Sequence, residues 1–173
     1  SEDFIKVHFG KIGLMLRIFA KGEDSTPVAP VDAADLIKSI GNSMTTPHDI
    51  VTDEDLRITL YLLCESIASR MRDQGFICRT VQVSLRDKHL LSFERQAKLS
   101  YPCRCSKELF KTAYALVKQN LPRDPLRSLG VRACQLQTEG NEQLSFLEDI
   151  QAIGKHEMAE QAVDSIRARY GPY

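Results

Sequence analysis

The sequence predicts an α+β domain in which two helices cover one face of a four-stranded sheet. Some segments place apolar residues at every second position, as a two-faced strand does, and others at every third or fourth position, as an amphipathic helix does. These segments follow one another in the order β-α-β-β-α-β. Because three of the strands are two-faced and both helices are amphipathic, we expect both helices on one sheet face and the other face open.

Two segments precede this domain. Residues 1–21 are mostly apolar and lack proline, but Gly10 and Gly13 interrupt them, which predicts two short helices around a tight turn. Residues 22–35 begin with a polar run that contains glycine and proline, so we expect a tether. The chain starts without methionine, which suggests a piece of a longer protein.

The domain is predicted to span residues 36–137. Its first half contains a strand and a long helix. The strand is predicted at residues 35–46 and should end at Pro47, which cannot donate to an interior ladder. Thr52 is the expected N-cap of the helix, because acidic residues fill the first turn that follows it. The helix should end at Gly75, and its apolar residues are Leu56, Leu60, Leu63, Ile67 and Met71.

The second half of the domain contains two strands joined by a short turn, a helix and a last strand. Residues 76–86 alternate between apolar and polar, and residues 90–99 form the next predicted strand. Ser106 is the expected N-cap of the second helix, and residues 126–136 form the last strand. The acidic tail, residues 138–173, becomes helical in pattern again towards its end.

The composition limits the classes of protein to which this chain can belong. The 173 residues are 43% hydrophobic and 27% charged, which is typical of a soluble globular protein. No apolar run reaches the roughly 20 residues that span a bilayer, and no charged start precedes an apolar stretch, so we expect neither a membrane partner nor a signal peptide. Five irregularly spaced cysteines indicate a reducing compartment, which we expect to be the cytoplasm. Cys103 and Cys105 are too close for an easy disulfide and lack a second ligand pair for zinc, which favours a structural interpretation.

The net charge of zero hides an uneven distribution. From Lys38 to Gln137 the chain has 16 lysines and arginines against 10 acidic residues, whereas the two flanks hold 7 basic and 13 acidic residues. A basic middle between acidic, solvated ends is typical of a module that faces a polyanion, although an ordinary fluctuation gives the same pattern.

The open sheet face is the candidate functional surface. Small and polar residues dominate it, with arginines near the strand ends: Ser39, Gly41, Ser43, Thr45, Thr80, Gln82, Ser84, Arg86, Arg127 and Arg132. Such a face can lay backbone amides and hydroxyls against phosphates while arginine supplies charge, and it offers little for reading bases. The alternative is an open polar face that simply meets water.

Three strings along the chain resemble the little-finger domain of Y-family (DinB/UmuC-type) translesion DNA polymerases. They are Lys38-Ser39-Ile40-Gly41 with Thr45-Thr46-Pro47, then Arg79-Thr80-Val81, then Leu126-Arg127-Ser128-Leu129-Gly130-Val131-Arg132. Upstream strings are similar to the end of the family's thumb and its tether: Phe9-Gly10-Lys11-Ile12-Gly13, Lys21-Gly22-Glu23-Asp24 and Pro27-Val28. These matches run in the family's order over residues 4–137, and the tail continues them.

The resemblance implies a little-finger fold that holds template–primer backbones along the major groove. By position it implies contacts at Ser39, Gly41, Thr80, Arg127 and Arg132. It also implies a parent DNA polymerase whose metal-binding carboxylates lie in the palm, before this chain begins. We therefore expect this piece to be inactive and without a cofactor, while the parent needs Mg²⁺, and we expect its partners to be DNA and its own catalytic core.

The third strand departs from the family. It carries Glu94-Arg95-Gln96-Ala97 where the family usually has Thr-Arg-Ser and often another basic residue. Glu94 would face phosphates unfavourably, so we expect this strand to contribute weakly. The direction of Arg95 does not follow from the alternation of its neighbours.

The acidic tail contains a candidate protein-binding peptide, Gln143-Leu144-Ser145-Phe146-Leu147. It resembles the bacterial sliding-clamp-binding motif, usually Gln-Leu-Ser-Leu-Phe, with the last two residues exchanged, which implies a sliding clamp as a further partner. The alternative is an apolar anchor that folds back onto this domain. Residues 162–171 resemble the end of many bacterial members, where a plain surface helix and a second contact both remain open.

Two functions of other classes compete with DNA binding. An RNA-recognition module has the same element order, but it stacks bases on sheet aromatics, and the outward residues of the second and third strands include none. A ferredoxin-like protein-interaction module without nucleic acid remains, and DNA affinity measured at two salt concentrations would separate it. No set of acidic residues suggests catalysis, since the run Asp53-Glu54-Asp55 is explained as a helix start.

Overall fold

The computed structural model describes residues 2–28, 30, 37–138 and 150–171. The chain divides into two compact units, Ser1–Leu36 and Ile37–Tyr173, and each is described by itself. None of the helices described is long and apolar enough to cross a membrane.

The first unit is built on one kinked helix, α1 (Glu2–Lys21). The kink lies at Gly10, whose φ of 60° and ψ of −147° are accessible to glycine without strain. The predicted turn between two helical arms is therefore confirmed at Gly10. Gly13 does not interrupt the second arm, because its missing side chain leaves room for the previous turn. A Cβ at Gly13 would lie 2.5 Å from Phe9 Cβ and 2.7 Å from Ile5 Cγ2.

The second unit contains a sheet, two helices that cover it, and a further helix. Its elements in chain order are β1 (Ser39–Ile50), α2 (Asp53–Asp73), β2 (Phe76–Asp87), β3 (Ser92–Cys103), α3 (Ser106–Gln119), β4 (Leu126–Thr138) and α4 (Ile150–Tyr170). The strand order is β1-β4-β2-β3, and every neighbouring pair is antiparallel. The predicted α+β class and the order β-α-β-β-α-β are confirmed.

The core lies between the sheet and the helices α2 and α3. The predicted apolar stripe of α2 is buried, and so are the apolar residues Leu109, Ala113, Leu116 and Val117 of α3. One set of alternating strand residues is also buried: Val81, Val83, Leu85, Leu129, Val131 and Ala133. Burying one large apolar side chain contributes about 1.5–3 kcal/mol, so this layer is a major source of stability for the unit. The opposite sheet face, where the other alternating residues lie, carries no helix of this core.

The edge strand β1 starts and ends later than predicted. It begins at Ser39 and continues through Pro47 to Ile50, so the expected end at Pro47 is wrong. A register irregularity between Thr45 and Ile50 accommodates the proline. Because β1 lies at the edge of the sheet, the missing N–H of Pro47 interrupts no interior ladder.

The two predicted helix caps had different outcomes. Thr52 caps α2 as expected, since its Oγ1 accepts a hydrogen bond from Asp55 N at 3.1 Å. The expectation that Ser106 caps α3 is wrong, because Ser106 is already the first helical residue. The N-cap is Cys105, whose side chain makes no cap hydrogen bond, and Glu160 of α4 accepts from Ser106 N at 3.0 Å instead.

Candidate nucleic-acid interface

Four rows of residues cross the open face of the sheet, and each row contains one residue from each of the four strands. The pairing of the strands places them side by side: Ser39, Cys134, Thr80 and Lys98; Gly41, Arg132, Gln82 and Gln96; Ser43, Gly130, Ser84 and Glu94; Thr45, Ser128, Arg86 and Ser92. None of these residues is aromatic, and most are small or hydroxyl-bearing. The predicted site residues on β1 and β2 and Arg132 are therefore brought together on one face.

A shallow groove runs along the middle of this face. It has a volume of about 520 Å³ and is lined mainly by Ser39, Gly41, Ser43, Ser84, Gly130 and Arg132. Gly130 leaves the floor of the groove without a side chain. A Cβ at this position would lie 2.3 Å from Ser84 Oγ and 3.2 Å from Ser43 Cβ, so a larger residue would fill the space between the two serines. Gly41 lies against the Arg132 side chain, whose Cγ would be 3.2 Å from an added Cβ. The groove therefore exposes backbone and hydroxyls between cationic side chains.

The open face carries more positively charged than negatively charged side chains. Arg86, Lys98 and Arg132 are exposed cations, and Glu94 is the one carboxylate in the four rows. Glu94 lies beside Ser84 and lines the groove, as expected from the sequence. Its Oε2 accepts a hydrogen bond from Gln82 Nε2 at 2.5 Å. The carboxylate therefore engages one of the two amide side chains in the four rows.

Thr80 and Gln82 are less available than the sequence predicts. Thr80 is 5% exposed, and its Oγ1 donates to Gln135 Oε1 at 2.8 Å, so its expected exposure on the face is wrong. Gln135 has a positive φ of 53°. The amide oxygen of Gln82 also accepts a weak hydrogen bond from Cys134 Sγ at 3.6 Å, so both ends of this amide are engaged within the sheet.

Arg127 lies at the end of the sheet, beside the register irregularities of β1 and β2. Its guanidinium donates to the Pro47 carbonyl at 3.3 Å and pairs with an Asp49 carboxylate oxygen at 3.6 Å. Because its side chain remains 40% exposed, Arg127 keeps part of its charge towards solvent. It does not line the groove.

One cation of the groove was missed by the sequence analysis. Arg70 is an exposed residue of α2, and its Nη1 donates to the Gly41 carbonyl at 3.0 Å across the edge of β1. It lines the same groove as Arg132. The helical pattern alone marks Arg70 as a surface residue, and only the docking of α2 on β1 reveals that it reaches the open face.

The direction of Arg95, which the sequence left undecided, follows from its contacts. Its Nε donates to Asn120 Oδ1 at 3.2 Å, and its guanidinium lies 5.1 Å from the centre of the Phe93 ring. Asn120 is the C-cap of α3, which covers the other face. Arg95 therefore contributes no charge to the open face.

Comparison with known proteins decides the family. A model described as the impB/mucB/samB family C-terminal domain matches residues 37–146. The chain belongs to the impB/mucB/samB family. Curated relatives are similar over nearly the whole chain, and their printed name is DNA polymerase IV, which confirms the resemblance found in the sequence.

Three of these relatives give the extent of the match. The DNA polymerase IV of Acetivibrio thermocellus is 38% identical over 99% of this chain and 44% of its own length. That of Pelotomaculum thermopropionicum is 31% identical over 98% of this chain and 41% of its own length. The DNA polymerase IV 2 of Bacillus subtilis is 30% identical over 98% and 41%. The chain thus spans less than half the length of the curated relatives it matches.

The acidic run of this impB/mucB/samB domain is engaged in the fold. Asp53 accepts hydrogen bonds from Lys118 Nζ at 3.0 Å and from Tyr114 Oη at 2.8 Å, and these bonds hold the pKa of its carboxyl below the usual value. Asp55 Oδ2 accepts from Thr52 Oγ1 at 2.6 Å. Among the described residues, no group of three His, Cys, Asp or Glu side chains is placed to hold a metal ion.

The cysteines are free thiols within the described part of the chain. Burial raises the pKa of Cys64 and of Cys78 to about 12, so both remain protonated at neutral pH. Cys103 and Cys105 are buried on either side of the turn into α3, in agreement with a structural interpretation. The predicted clamp-binding residues Gln143, Leu144, Ser145, Phe146 and Leu147 lie outside the described residues.

Proposed function

We propose that this chain is the DNA-holding region of a Y-family translesion DNA polymerase. Its open sheet face lies along the backbones of the primer–template duplex and binds them without regard to sequence. Membership of the impB/mucB/samB family and the name of its relatives support this proposal.

The observation that carries the proposal is the composition of the open face. Serines and glycines line the groove, so phosphates can approach the backbone N–H groups and hydroxyls closely. Arg70, Arg86, Lys98 and Arg132 lie on or beside it and supply positive charge. Phosphate contacts of this kind give affinity and register but carry no sequence information.

Sequence independence is proposed because the four rows hold few groups that read bases, namely Arg86, Arg132, Gln82 and Gln96. Reading a base edge in the major groove takes paired donors and acceptors, such as those of an arginine or an amide. The Gln82 amide is engaged by Glu94 and Cys134, and the hydroxyls of the groove can donate hydrogen bonds to any phosphate. A polymerase that copies any template needs such indifference.

The residues predicted to contact DNA are proposed to have different roles. Ser39, Gly41, Ser43, Ser84 and Arg132 line the groove and are proposed to contact the backbone directly. Arg86 lies in the row next to it. Thr80 and Gln82 are proposed to support the face rather than to contact DNA, because their side chains already have partners. Arg127 is proposed to contact a phosphate at the end of the sheet.

Nucleotide transfer is proposed to take place in the remainder of the parent protein. That reaction uses metal ions held by carboxylates. The one acidic run of this domain has other partners, since Asp53 binds Tyr114 and Lys118, and Asp55 binds Thr52. Those residues do not fit a Mg²⁺ site, so no catalytic step is assigned to this chain.

A sliding clamp is the second proposed partner. The peptide Gln143–Leu147 carries a glutamine and three large apolar residues in an acidic, polar segment. Such a peptide binds by placing its apolar anchors in a pocket while the glutamine hydrogen-bonds at the rim. Ordering of the peptide offsets part of the gain, so we expect micromolar affinity.

DNA affinity at two salt concentrations tests the main proposal. Each phosphate contact should add about 0.9 to the slope of log affinity against log salt, and scrambling the duplex sequence should change nothing. A protein-interaction domain of the same shape would bind DNA weakly, if at all, and without this slope. Absence of DNA binding at low salt would therefore favour that alternative.

A further inference from the structure

An apolar groove lies on the outer surface of the two covering helices, on the side of the domain away from the open sheet face. It has a volume of about 650 Å³. Its apolar lining comes from Ile58, Tyr61 and Leu62 of α2 and from Phe110 and Tyr114 of α3. We call this surface the helix groove, and none of the functions proposed above uses it.

Three aromatic rings form a continuous surface in the helix groove. The centre of the Phe110 ring lies 5.8 Å from that of Tyr61, which meets it edge to face, and 5.6 Å from that of Tyr114, which stacks on it. The Tyr114 hydroxyl also donates to an Asp53 carboxylate oxygen at 2.8 Å. Because each ring is held by a neighbour, the groove has a preformed apolar floor.

The α2 side of the helix groove exposes aliphatic side chains to solvent. Ile58 is 53% exposed and Leu62 is 49% exposed, although both lie beside the rings in a concave surface. Single exposed apolar residues are normal on a protein surface, but a contiguous apolar patch with a polar rim is typical of an interaction site. A partner that places apolar side chains between α2 and α3 would remove this area from water, which is favourable.

The rim of the helix groove is cationic. The remaining lining residues are Arg57, Lys107 and Lys111, so no described carboxylate lines the groove. Neither Arg57 nor Lys107 forms an ion pair with another described residue. The Arg57 guanidinium lies 5.6 Å from the centre of the Tyr114 ring, which places its charge directly over the apolar floor.

The two carboxylates that contact residues of the groove already have cationic partners. Asp53, which accepts from Tyr114, also pairs with Lys118 Nζ at 3.0 Å. Glu108 Oε2 lies 4.0 Å from Lys111 Nζ, but the Lys111 side chain remains 78% exposed. Positive charge is therefore in excess along the rim.

We propose that the helix groove binds an acidic segment of a partner protein that carries large apolar anchor residues. The anchors pack on the aromatic floor, and the acidic side chains of the segment lie beside Arg57, Lys107 and Lys111. A DNA backbone gains nothing from an apolar floor, and the rim repels a basic segment. The combination of floor and rim therefore favours an acidic polypeptide.

A library of short random peptides displayed on phage tests this proposal with the 173-residue chain. Peptides are selected on the wild type and then depleted on the groove variant, Ile58→Ser with Leu62→Ser. Both side chains are about half exposed, so their replacement removes apolar surface without opening the core. The matched control, Met158→Ser with Val163→Ser, removes two exposed apolar side chains from α4 instead.

The selected peptides should be net acidic and carry more than one large apolar residue. Synthetic copies should bind the wild type and the α4 control equally, and the groove variant at least about tenfold more weakly. Arg57→Gln with Lys111→Gln should weaken binding about fivefold at low salt and less at high salt, because the rim charges are exposed to solvent.

Other results would overturn the proposal. They are a selection that finds no peptide able to distinguish the wild type from the groove variant, selected peptides that are neutral or basic, or an α4 control that loses as much affinity as the groove variant. If the groove variant melts at a lower temperature than the wild type, depletion is repeated on Arg57→Gln with Lys111→Gln, and the same outcomes apply.

Nucleic acid in the helix groove is the remaining alternative, and the charge variant separates it. A primer–template duplex should bind Arg57→Gln with Lys111→Gln as tightly as it binds the wild type. If this variant loses as much affinity for the duplex as for the selected peptides, the groove is a nucleic-acid site and the proposal of a protein partner is wrong.

Discussion

At the scale of single residues, the open face depends on a position without a side chain. Gly130 of the interior strand β4 lies between Ser43 of β1 and Ser84 of β2. Its φ is not positive, so the glycine is required by the close approach of those serines rather than by backbone conformation. The groove that phosphates are proposed to enter exists because this residue is glycine.

Gly130→Ala should therefore destabilise the domain. The added Cβ would lie 2.3 Å from Ser84 Oγ, so Ser84 must move or the strands must separate. Overpacking of this kind costs about 1–3 kcal/mol, measured as a shift of the denaturant midpoint. Gly154→Ala is the matched control, because a Cβ there meets nothing within 4 Å, and it should leave the midpoint unchanged or raise it slightly. Equal midpoints for the two variants would contradict the close packing.

Glu94→Gln should strengthen DNA binding. The substitution removes the carboxylate from the four rows of the face and keeps a hydrogen-bonding group beside Gln82. A unit charge about 4 Å from a phosphate in water is worth about 1 kcal/mol, so affinity at low salt should rise about fivefold. Glu54→Gln, which changes an exposed acid at the start of α2, is the control in the same titration. A gain of equal size in the control would show a general charge effect.

Alternation predicted which residues share the open face but not what each of them contacts. Ser39, Ser43, Ser84 and Arg132 are where the period of two places them. Thr80 is covered by Gln135, a residue with positive φ that no simple strand pattern contains. Contacts between residues far apart in the chain decide such cases, and a single sequence does not reveal them.

At the scale of elements, strong local periodicity gave correct helices and strands. The α2 stripe and the apolar set Val81, Val83 and Leu85 of β2 are evident in the sequence, and both are buried in the structure. The start of α3 was misjudged because its cap comes from Glu160, 54 residues further along the chain. The predicted end of β1 at Pro47 was wrong because the position of a strand within the sheet, at its edge, is a tertiary property.

The tail segment should bind a sliding clamp independently of the sheet domain. Phe146→Ala with Leu147→Ala removes two apolar anchors, each worth about 1.5–3 kcal/mol when buried, and should abolish most clamp binding. The melting temperature of the domain should stay unchanged. A lower melting temperature would mean that these residues pack on the domain, as in the alternative interpretation of this peptide.

At the scale of the whole molecule, the zero net charge results from a separation of charges. The acids of α4 were expected in a solvated tail, but Glu157, Glu160 and Asp164 face the domain and pair with its arginines. These side chains are at most 25% exposed. Within the described part of the chain, no acidic helix covers the cations of the open sheet face, and Arg86, Lys98 and Arg132 are exposed.

The chain alone should extend no primer. In this account it holds DNA, and the acidic run in its described part does not bind metal, because Thr52, Tyr114 and Lys118 engage two of its carboxylates. A primer-extension assay with Mg²⁺ and all four nucleotides should show only unextended primer. Extension by a clean preparation would place catalytic groups in this chain.

The most direct test of the account asks which face of the domain binds DNA. Log affinity for a primer–template duplex is plotted against log salt for the wild type, for Arg86→Ala with Arg132→Ala on the open face, and for Arg57→Ala with Lys111→Ala on the outer surface of α2 and α3. The open-face variant should lower the slope by up to about two, and the helix-face variant should leave it unchanged. A flat salt response of the wild type, or a helix-face variant that lowers the slope as much as the open-face variant, would contradict the proposed interface.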